Sequence, residues 1–216
     1  MKAYFISGLG ADKQMFRRIK LPEGFVIVHL DWIDPLEKET FEHYARRLAQ
    51  RIEPNEDFIL VGLSLGGLMS VEINKFLKPA FTVLISSVVN KKALPFWFTL
   101  VGHLGIAALI PAYFYHHSNF FSNWLLGAQS KEDKELLKAV MHNASPKFVH
   151  WAIPRILSWD NEFIPKRMLQ LHGTKDVILP FKKVKNEIAI QGGTHFMVFN
   201  RSEEINKILA DTLSAI

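Results

Sequence analysis

Gly62-Leu63-Ser64-Leu65-Gly66 is the stretch of sequence that decides the fold, because it joins a strand-like run to a helix-like run. The apolar run Asp57–Val61 comes directly before it, and a helical pattern extends from Leu65 to Leu77. A serine in the pattern G-x-S-x-G is typical of a sharp turn that holds the hydroxyl out of a sheet. The small residues on both sides allow strand and helix to approach without a Cβ clash. Since a helix N-terminus stabilises negative charge, Ser64 is the candidate nucleophile; the alternative is an incidental serine in a glycine-rich connection.

Composition narrows the class of protein. With 216 residues, 49% of them hydrophobic, the chain is expected to form one domain with a large core. It has no cysteine, which excludes disulfides, thiolate chemistry and cysteine-ligated metals. The net charge is +5, but the basic residues are scattered, so we expect no nucleic-acid partner. Residues 1–7 lack the apolar core of a signal peptide, and a cytoplasmic location is therefore expected.

Short apolar runs alternate with helical patterns along most of the chain. The helix after Thr40 places apolar side chains on one face, and the last helix, with Ser202 as its expected cap, does the same. This alternation predicts a mostly parallel, doubly wound sheet of about six strands. The predicted strands are Ala3–Ser7, Phe25–Leu30, Asp57–Val61, Phe81–Ser86, Met168–His172 and Glu187–Ile190.

The alternation stops between residues 91 and 164, which are rich in aromatic side chains and give no strand signal. We therefore predict an α/β core over residues 1–90 and 165–216, with residues 91–164 inserted as a helical cap. Two helices of this cap should begin at Ser130 and Ser145, and Pro154 should end or kink the second.

One segment of the predicted cap, Leu94–Tyr115, is apolar and long enough to span a bilayer. Two prolines and two glycines interrupt it, so we expect an apolar lid or a buried helical insertion and no membrane contact. A kinked membrane helix is the alternative.

Two further residues follow predicted strands in the order that serine catalysis requires. A serine hydroxyl needs a base to take its proton, and that base needs a carboxylate to orient it. Asp176 lies in the loop after Met168–His172, and His195 lies in the loop after Glu187–Ile190. Because functional groups gather at the carboxyl ends of parallel strands, these two side chains are expected to meet Ser64. The alternatives are a turn-forming aspartate and an ordinary loop histidine.

An oxyanion needs two backbone N–H donors. We expect one from Leu65, directly after the serine, and one from Leu9 in the loop Ser7–Gly10. A dinucleotide-binding reading of this loop fails because Lys13 stands where the last glycine of G-x-G-x-x-G belongs. No metal site or cofactor is predicted, because the adjacent histidines 116 and 117 have no acidic cluster beside them.

With these motifs, the chain resembles the α/β-hydrolase superfamily over essentially its whole length. The segment around Ser64 matches the family's nucleophile elbow, and Asp176 and His195 match its acid and base in type and order. The resemblance implies an α/β-hydrolase fold with a helical cap inserted after Phe81–Ser86, in a small member that begins at the family's third strand. One departure is Ser7, where many relatives carry histidine; a backbone donor does not require it.

The resemblance implies a serine hydrolase with a Ser64–His195–Asp176 catalytic triad, an oxyanion hole at Leu9 and Leu65, and an acyl-enzyme. The aromatic cap favours a small-molecule ester or thioester with an apolar moiety, although packing of cap on core explains many of these aromatics. Three alternatives stay open: a lyase or carbon–carbon bond hydrolase that uses the same triad, a non-catalytic binding protein, and a membrane-associated lipase. The sequence does not predict the oligomeric state.

Overall fold

A computed structural model of the chain describes residues 1–96, 98, 118–181 and 187–216. Within these residues six strands form one sheet in the order β2-β1-β3-β4-β5-β6, and each neighbouring pair is parallel. This confirms the predicted fold class, and all six predicted strands are present to within two residues at each end. The strands are β1 (Lys2–Ile6), β2 (Val26–His29), β3 (Phe58–Leu63), β4 (Phe81–Ile85), β5 (Met168–Gly173) and β6 (Ile188–Ile190).

Helices cover both faces of the sheet, which is why its strands are apolar on both sides. Tyr4, Leu60 and Leu84 pack in one cluster, and Phe5 and Val61 pack in another on the opposite face. The first cluster contains side chains of α1 (Phe41–Ala49), α2 (Leu65–Asn74) and α5 (Pro146–Leu157). The second contains side chains of α4 (Lys131–Asn143), α6 (Met197–Asn200) and α7 (Ser202–Leu213).

Two predicted helix starts have different outcomes. Thr40 caps α1, because its hydroxyl accepts a hydrogen bond from the backbone N–H of His43 at 3.1 Å. The prediction that Ser202 caps the last helix is wrong: Ser202 is the first residue of α7 and is buried. Its predecessor, Arg201, already donates its backbone N–H to Met197 in α6. The chain therefore passes from one helix into the next without the extended residue that a serine cap requires.

Within residues 91–164, the described part contains the 3-10 helix Lys91–Ala93 and the α-helices α3 (Phe120–Leu126), α4 and α5, and no strand. Ser130 and Ser145 cap α4 and α5 as predicted. Pro154 does not end α5, which continues for three more residues to Leu157. A proline in the last turn removes only one backbone hydrogen bond, so the helix can tolerate it there.

Most of Leu94–Tyr115 lies outside the described residues, so its predicted role as a lid or buried insertion stays a prediction. No helix in the described part of the chain is long and apolar enough to cross a membrane. The division into a core and an inserted cap likewise stays a prediction.

Candidate active site

Ser64 stands at a strained corner between β3 and α2. Its backbone has φ 51° and ψ −115°, a left-handed conformation that an L-residue adopts only at an energetic cost. The corner also requires close approach, because a Cβ on Gly66 would collide with the backbone carbonyl of Ile6 in β1. The backbone N–H of Ser64 donates to the carbonyl of Ile85 at 2.9 Å, so the corner is tied to the end of β4.

The structure brings the three predicted triad side chains together. His195 Nε2 lies 2.9 Å from Ser64 Oγ, and His195 Nδ1 lies 2.8 Å from Asp176 Oδ2. Ser64, Asp176 and His195 follow β3, β5 and β6, so the parallel strands deliver all three to one edge of the sheet. The serine is partly exposed, whereas the acid and the base are buried.

The surroundings of Asp176 keep it ionised. Burial by itself would raise the pKa of this carboxyl, but its electrostatic interaction and hydrogen bond with His195, together with the backbone N–H of Leu179, lower the pKa overall. Oδ1 accepts hydrogen bonds from the backbone N–H groups of Ile178 and Leu179, at 3.0 and 2.9 Å. An ionised carboxylate only accepts hydrogen bonds, so Nδ1 of His195 carries a proton and its Nε2 presents a lone pair to the Ser64 hydroxyl.

The predicted oxyanion donors border the serine from two sides. Leu65 is the first residue of α2, where a backbone N–H has no acceptor within the helix. On the other side, a Cβ on Gly8 would lie 3.6 Å from the Cβ of Ser64, so the loop that contains Leu9 passes close to the nucleophile. Ser7, which departs from the family pattern, donates its hydroxyl to the carbonyl of Ala11 and closes this loop. The oxyanion role of Leu9 and Leu65 stays a prediction.

Sequence reasoning missed two residues that support the serine corner. Ser87 donates its hydroxyl to the backbone carbonyl of Ser64 at 2.7 Å, and Gln170 donates its amide to the carbonyl of Ser87 at 2.7 Å. The sequence does contain a signal for this contact, because Gly67 directly follows Gly66. A Cβ on Gly67 would collide with the Ser87 side chain, so a glycine pair at 66 and 67 indicates a close neighbour there.

Other polar candidates lie apart from the triad contacts. Buried Glu72 accepts hydrogen bonds from Trp159 Nε1 at 2.8 Å and from Lys75 at 2.7 Å. Asp160 pairs with Lys91 at the surface. In the described ranges, no group of three or more potential metal-binding side chains is found. The histidines 116 and 117 lie outside those ranges.

Among the described residues of the predicted cap, some aromatic side chains are buried and others are exposed. Phe148 and Trp151 of α5 are buried against Tyr44 of α1, with Trp151 and Tyr44 stacked at 4.4 Å between ring centroids, so packing explains them. Phe121 and Trp124 of α3 are 64% and 59% exposed and pack on each other. This second group is available for contact with a ligand.

An open crevice of about 450 Å³ lies between the end of α3 and the loops that carry the acid and the base. Trp124, Val177 and Thr194 are among its lining residues. Thr194, directly before His195, donates its hydroxyl to the carbonyl of Gly127 at 3.2 Å. The end of α3 is therefore in direct contact with the loop of the candidate base.

A known protein family resembles the chain in sequence, and solved structures resemble it in fold. A sequence model of the alpha/beta hydrolase family matches residues 3–208. A malate-bound thermophilic esterase from Thermogutta terrifontis superposes with a TM-score of 0.72 at 16% identity, over 100% of this chain and 90% of that chain. The esterase EaEST from Exiguobacterium antarcticum gives a TM-score of 0.70 at 13% identity, covering 97% of this chain and 90% of its own.

A third solved structure, described as Est816, an N-acyl homoserine lactone degrading enzyme, has a TM-score of 0.68 at 15% identity, over 97% of this chain and 92% of that chain. At such identities the likeness shows the fold alone. No curated protein sequence matches the chain.

Proposed function

The chain belongs to the alpha/beta hydrolase family, a family of enzymes, and from this premise we propose that it is a serine hydrolase that cleaves a carboxylic ester or thioester. The observation that carries the proposal is the chain of hydrogen bonds from Ser64 Oγ through His195 to Asp176. A hydroxyl, an imidazole and an ionised carboxylate in this order are the parts that convert serine into a nucleophile.

In the proposed reaction, Ser64 Oγ attacks the carbonyl carbon of the substrate while His195 Nε2 accepts the hydroxyl proton. The carbonyl oxygen becomes an oxyanion, which the backbone N–H groups of Leu9 and Leu65 stabilise. The tetrahedral intermediate collapses as His195 returns the proton to the departing alcohol or thiol, and this leaves an acyl group on Ser64. Water, deprotonated by His195, then attacks the acyl carbon and releases the acid. Asp176 stabilises the imidazolium in both halves of the cycle.

We assign the substrate an apolar moiety because an exposed aromatic side chain borders the crevice beside the loop that carries Asp176. Phe121 and Trp124 present apolar surface on α3, and Trp124 lines the crevice beside the acid loop. Exposed aromatic surface of this kind suits contact with a hydrophobic acyl or alcohol group. The names of structures that share the fold include several esterases, which agrees with ester cleavage.

A series of p-nitrophenyl esters, from acetyl to long-chain acyl, tests the proposal. We expect turnover that rises as the acyl chain lengthens beyond acetyl, and covalent labelling by a fluorophosphonate that mass spectrometry maps to Ser64. The variant Asp176→Asn should lose most of the turnover while it keeps its fold; retention of full activity would mean that the acid is misassigned.

Absence of both turnover and labelling in the native protein would contradict a serine hydrolase and favour a non-catalytic binding protein. Labelling of Ser64 without ester turnover would instead favour a lyase or a carbon–carbon bond hydrolase that uses the same three side chains.

A further inference from the structure

His172 is a fully buried histidine that the proposed reaction does not use. It lies near the end of β5, four residues before Asp176, and its side chain reaches the loop that carries the acid. Nε2 of His172 lies 2.6 Å from the backbone carbonyl oxygen of Leu179 and 3.6 Å from Asp176 Oδ2. It is therefore a second imidazole beside the candidate acid, in addition to His195.

The contacts of His172 fix its protonation. A carbonyl oxygen only accepts hydrogen bonds, so the nitrogen that faces Leu179 carries the proton. Burial lowers the pKa of His172, which keeps the ring neutral. Nδ1 is then an unprotonated acceptor, and no described residue donates a hydrogen bond to it. The ring thus acts as a neutral donor that points only toward the acid loop.

The contact with Leu179 acts on the acid through one residue. The carbonyl of Leu179 accepts from His172, while the backbone N–H of the same residue donates to Asp176 Oδ1 at 2.9 Å. Two hydrogen bonds in series therefore connect His172 to Asp176 through Leu179 and help to fix where Oδ1 lies. With Oδ1 held by the loop, Oδ2 is left for His195 at 2.8 Å.

The separation of 3.6 Å between His172 Nε2 and Asp176 Oδ2 is too long for a good hydrogen bond. His172 does not compete with His195 for that oxygen. A positively charged His172 would attract the Asp176 carboxylate away from His195. A neutral His172 that donates to the carbonyl of Leu179 instead leaves the carboxylate in contact with His195.

We propose that His172 is a positioning residue, which holds the loop 176–179 so that Asp176 presents one oxygen to His195. The inference rests on the proposed function, because it concerns the orientation of the catalytic base. It assigns to the residue a role in the rate of the chemical step and none in substrate binding.

Two amide variants of equal polarity test the inference. In His172→Gln, the side-chain amide nitrogen falls near the place of Nε2 and can donate to Leu179. In His172→Asn, the amide is one methylene shorter and falls short of that carbonyl. Misplacement of a catalytic group by about 1 Å can cost about 100-fold in rate. We therefore expect His172→Asn to lower kcat on p-nitrophenyl esters by about 10- to 100-fold with KM nearly unchanged, and His172→Gln to lose only about threefold.

A double-mutant cycle separates positioning from general stabilisation. If His172 acts through Asp176, the substitution His172→Asn should cost little further activity in an Asp176→Asn background, where no charged acid remains to be positioned. His29→Leu, a substitution of a half-buried histidine on β2, is the matched control and should leave kcat unchanged. Thermal unfolding of each variant establishes that it is folded under the assay conditions.

Equal losses of kcat in both backgrounds, or equal rates for the Asn and Gln variants, would overturn the inference and leave the proposed hydrolase intact. Should His172→Asn not fold, equal activity of His172→Gln and His172→Leu would overturn it, and rescue by Gln alone would support it. A native protein without turnover or fluorophosphonate labelling would overturn the inference and the proposed function together.

Discussion

Two serines occupy left-handed corners at the ends of neighbouring parallel strands. Ser64 follows β3 with φ 51°, and Ser86 follows β4 with φ 48°. Each donates its backbone N–H to the next strand of the sheet, Ser64 to Ile85 at 2.9 Å and Ser86 to Leu171 at 3.0 Å. In their positive φ and in this backbone hydrogen bond, the two corners are alike.

The corners differ in what surrounds the hydroxyl. Ser64 is partly exposed, stands at the N-terminus of α2 and meets His195 at 2.9 Å. Ser86 is fully buried, and its Oγ has no hydrogen-bond partner in the described part of the chain. The next residue, Ser87, turns its hydroxyl back to the carbonyl of Ser64. Backbone strain is therefore common to both sites, and a base, a helix N-terminus and access for a substrate distinguish the candidate nucleophile.

Replacing each corner serine by alanine should give the largest difference in activity between the two corners. Ser64→Ala removes the attacking oxygen, and we expect kcat on an ester substrate to fall by at least about 10⁴-fold. Ser86→Ala removes a hydroxyl that makes no hydrogen bond to the triad, and we expect kcat to stay within about twofold of the native value. Steady-state kinetics and fluorophosphonate labelling check both variants. Persistent labelling of Ser64→Ala would mean that another residue is the nucleophile.

Replacing Gly66 and Gly67 by alanine should lower the free energy of unfolding by different amounts, because each new methyl group meets a different neighbour. A Cβ on Gly66 would collide with the backbone of Ile6, which cannot move without disturbing β1. A Cβ on Gly67 would collide with the Ser87 side chain of the second corner. We expect Gly66→Ala to lower the free energy of unfolding by more than about 3 kcal/mol, and Gly67→Ala by about 1–3 kcal/mol.

The double variant Gly67→Ala with Ser87→Gly supplies the control, because it removes the atoms that the new methyl group meets. Urea unfolding should show it to be more stable than the sum of the two single changes predicts. If the effects of the two single changes on the free energy of unfolding simply add, Gly67 and Ser87 are not in the contact described.

The two corners also differ in the histidine beside them. Ser86 continues the pairing of Ile85 with Leu171 and so lies next to His172, whose pKa is lowered by burial. An unfolded histidine has a pKa of about 6.5. Below that pH the unfolded chain takes up a proton that folded His172 resists, so the free energy of unfolding should fall as the pH drops below about 6.5.

His172→Gln tests this pH dependence, because glutamine does not titrate. Between pH 6.5 and 5 its unfolding free energy should fall less steeply than that of the native protein, by at most about 1.4 kcal/mol per pH unit. The pKa of His29 is also lowered, chiefly by burial, and this contribution remains in both proteins, so the difference in slope isolates His172. Identical slopes would show that His172 titrates alike in the folded and unfolded states.

The sequence predicts the first corner and not the second, for a physical reason. The glycines at 62 and 66 mark a close approach that depends on local spacing, and apolar runs show which strands precede Ser64, Asp176 and His195. The Ser86 corner has Leu84 and Val88 at the positions that correspond to these glycines, and its neighbours on β5 come from a segment more than 80 residues away.

Long-range contacts of the same kind explain the other omissions. Gln170 on β5 reaches Ser87, which follows the neighbouring strand β4, and no local pattern marks a residue whose partner is set by strand pairing. The expected Ser202 cap was wrong because the preceding segment, α6, is itself helical, which three buried apolar residues followed by Asn200 do not reveal. Features that depend on local residue spacing can therefore be predicted from the sequence, whereas contacts that depend on strand pairing cannot.

Glycine at the second corner should give the smallest effect and the sharpest test of the strain. A left-handed conformation costs an L-residue roughly 1–2 kcal/mol, and glycine adopts it freely. Ser86→Gly also removes a buried hydroxyl without a partner, whereas Ser86→Ala removes the hydroxyl and keeps the Cβ. After the entropy that glycine adds to the unfolded chain, we expect Ser86→Gly to be more stable than Ser86→Ala by up to about 1 kcal/mol in urea unfolding. A glycine variant less stable than the alanine variant would mean that Ser86 is not strained, and that only the Ser64 corner stores backbone energy for its function.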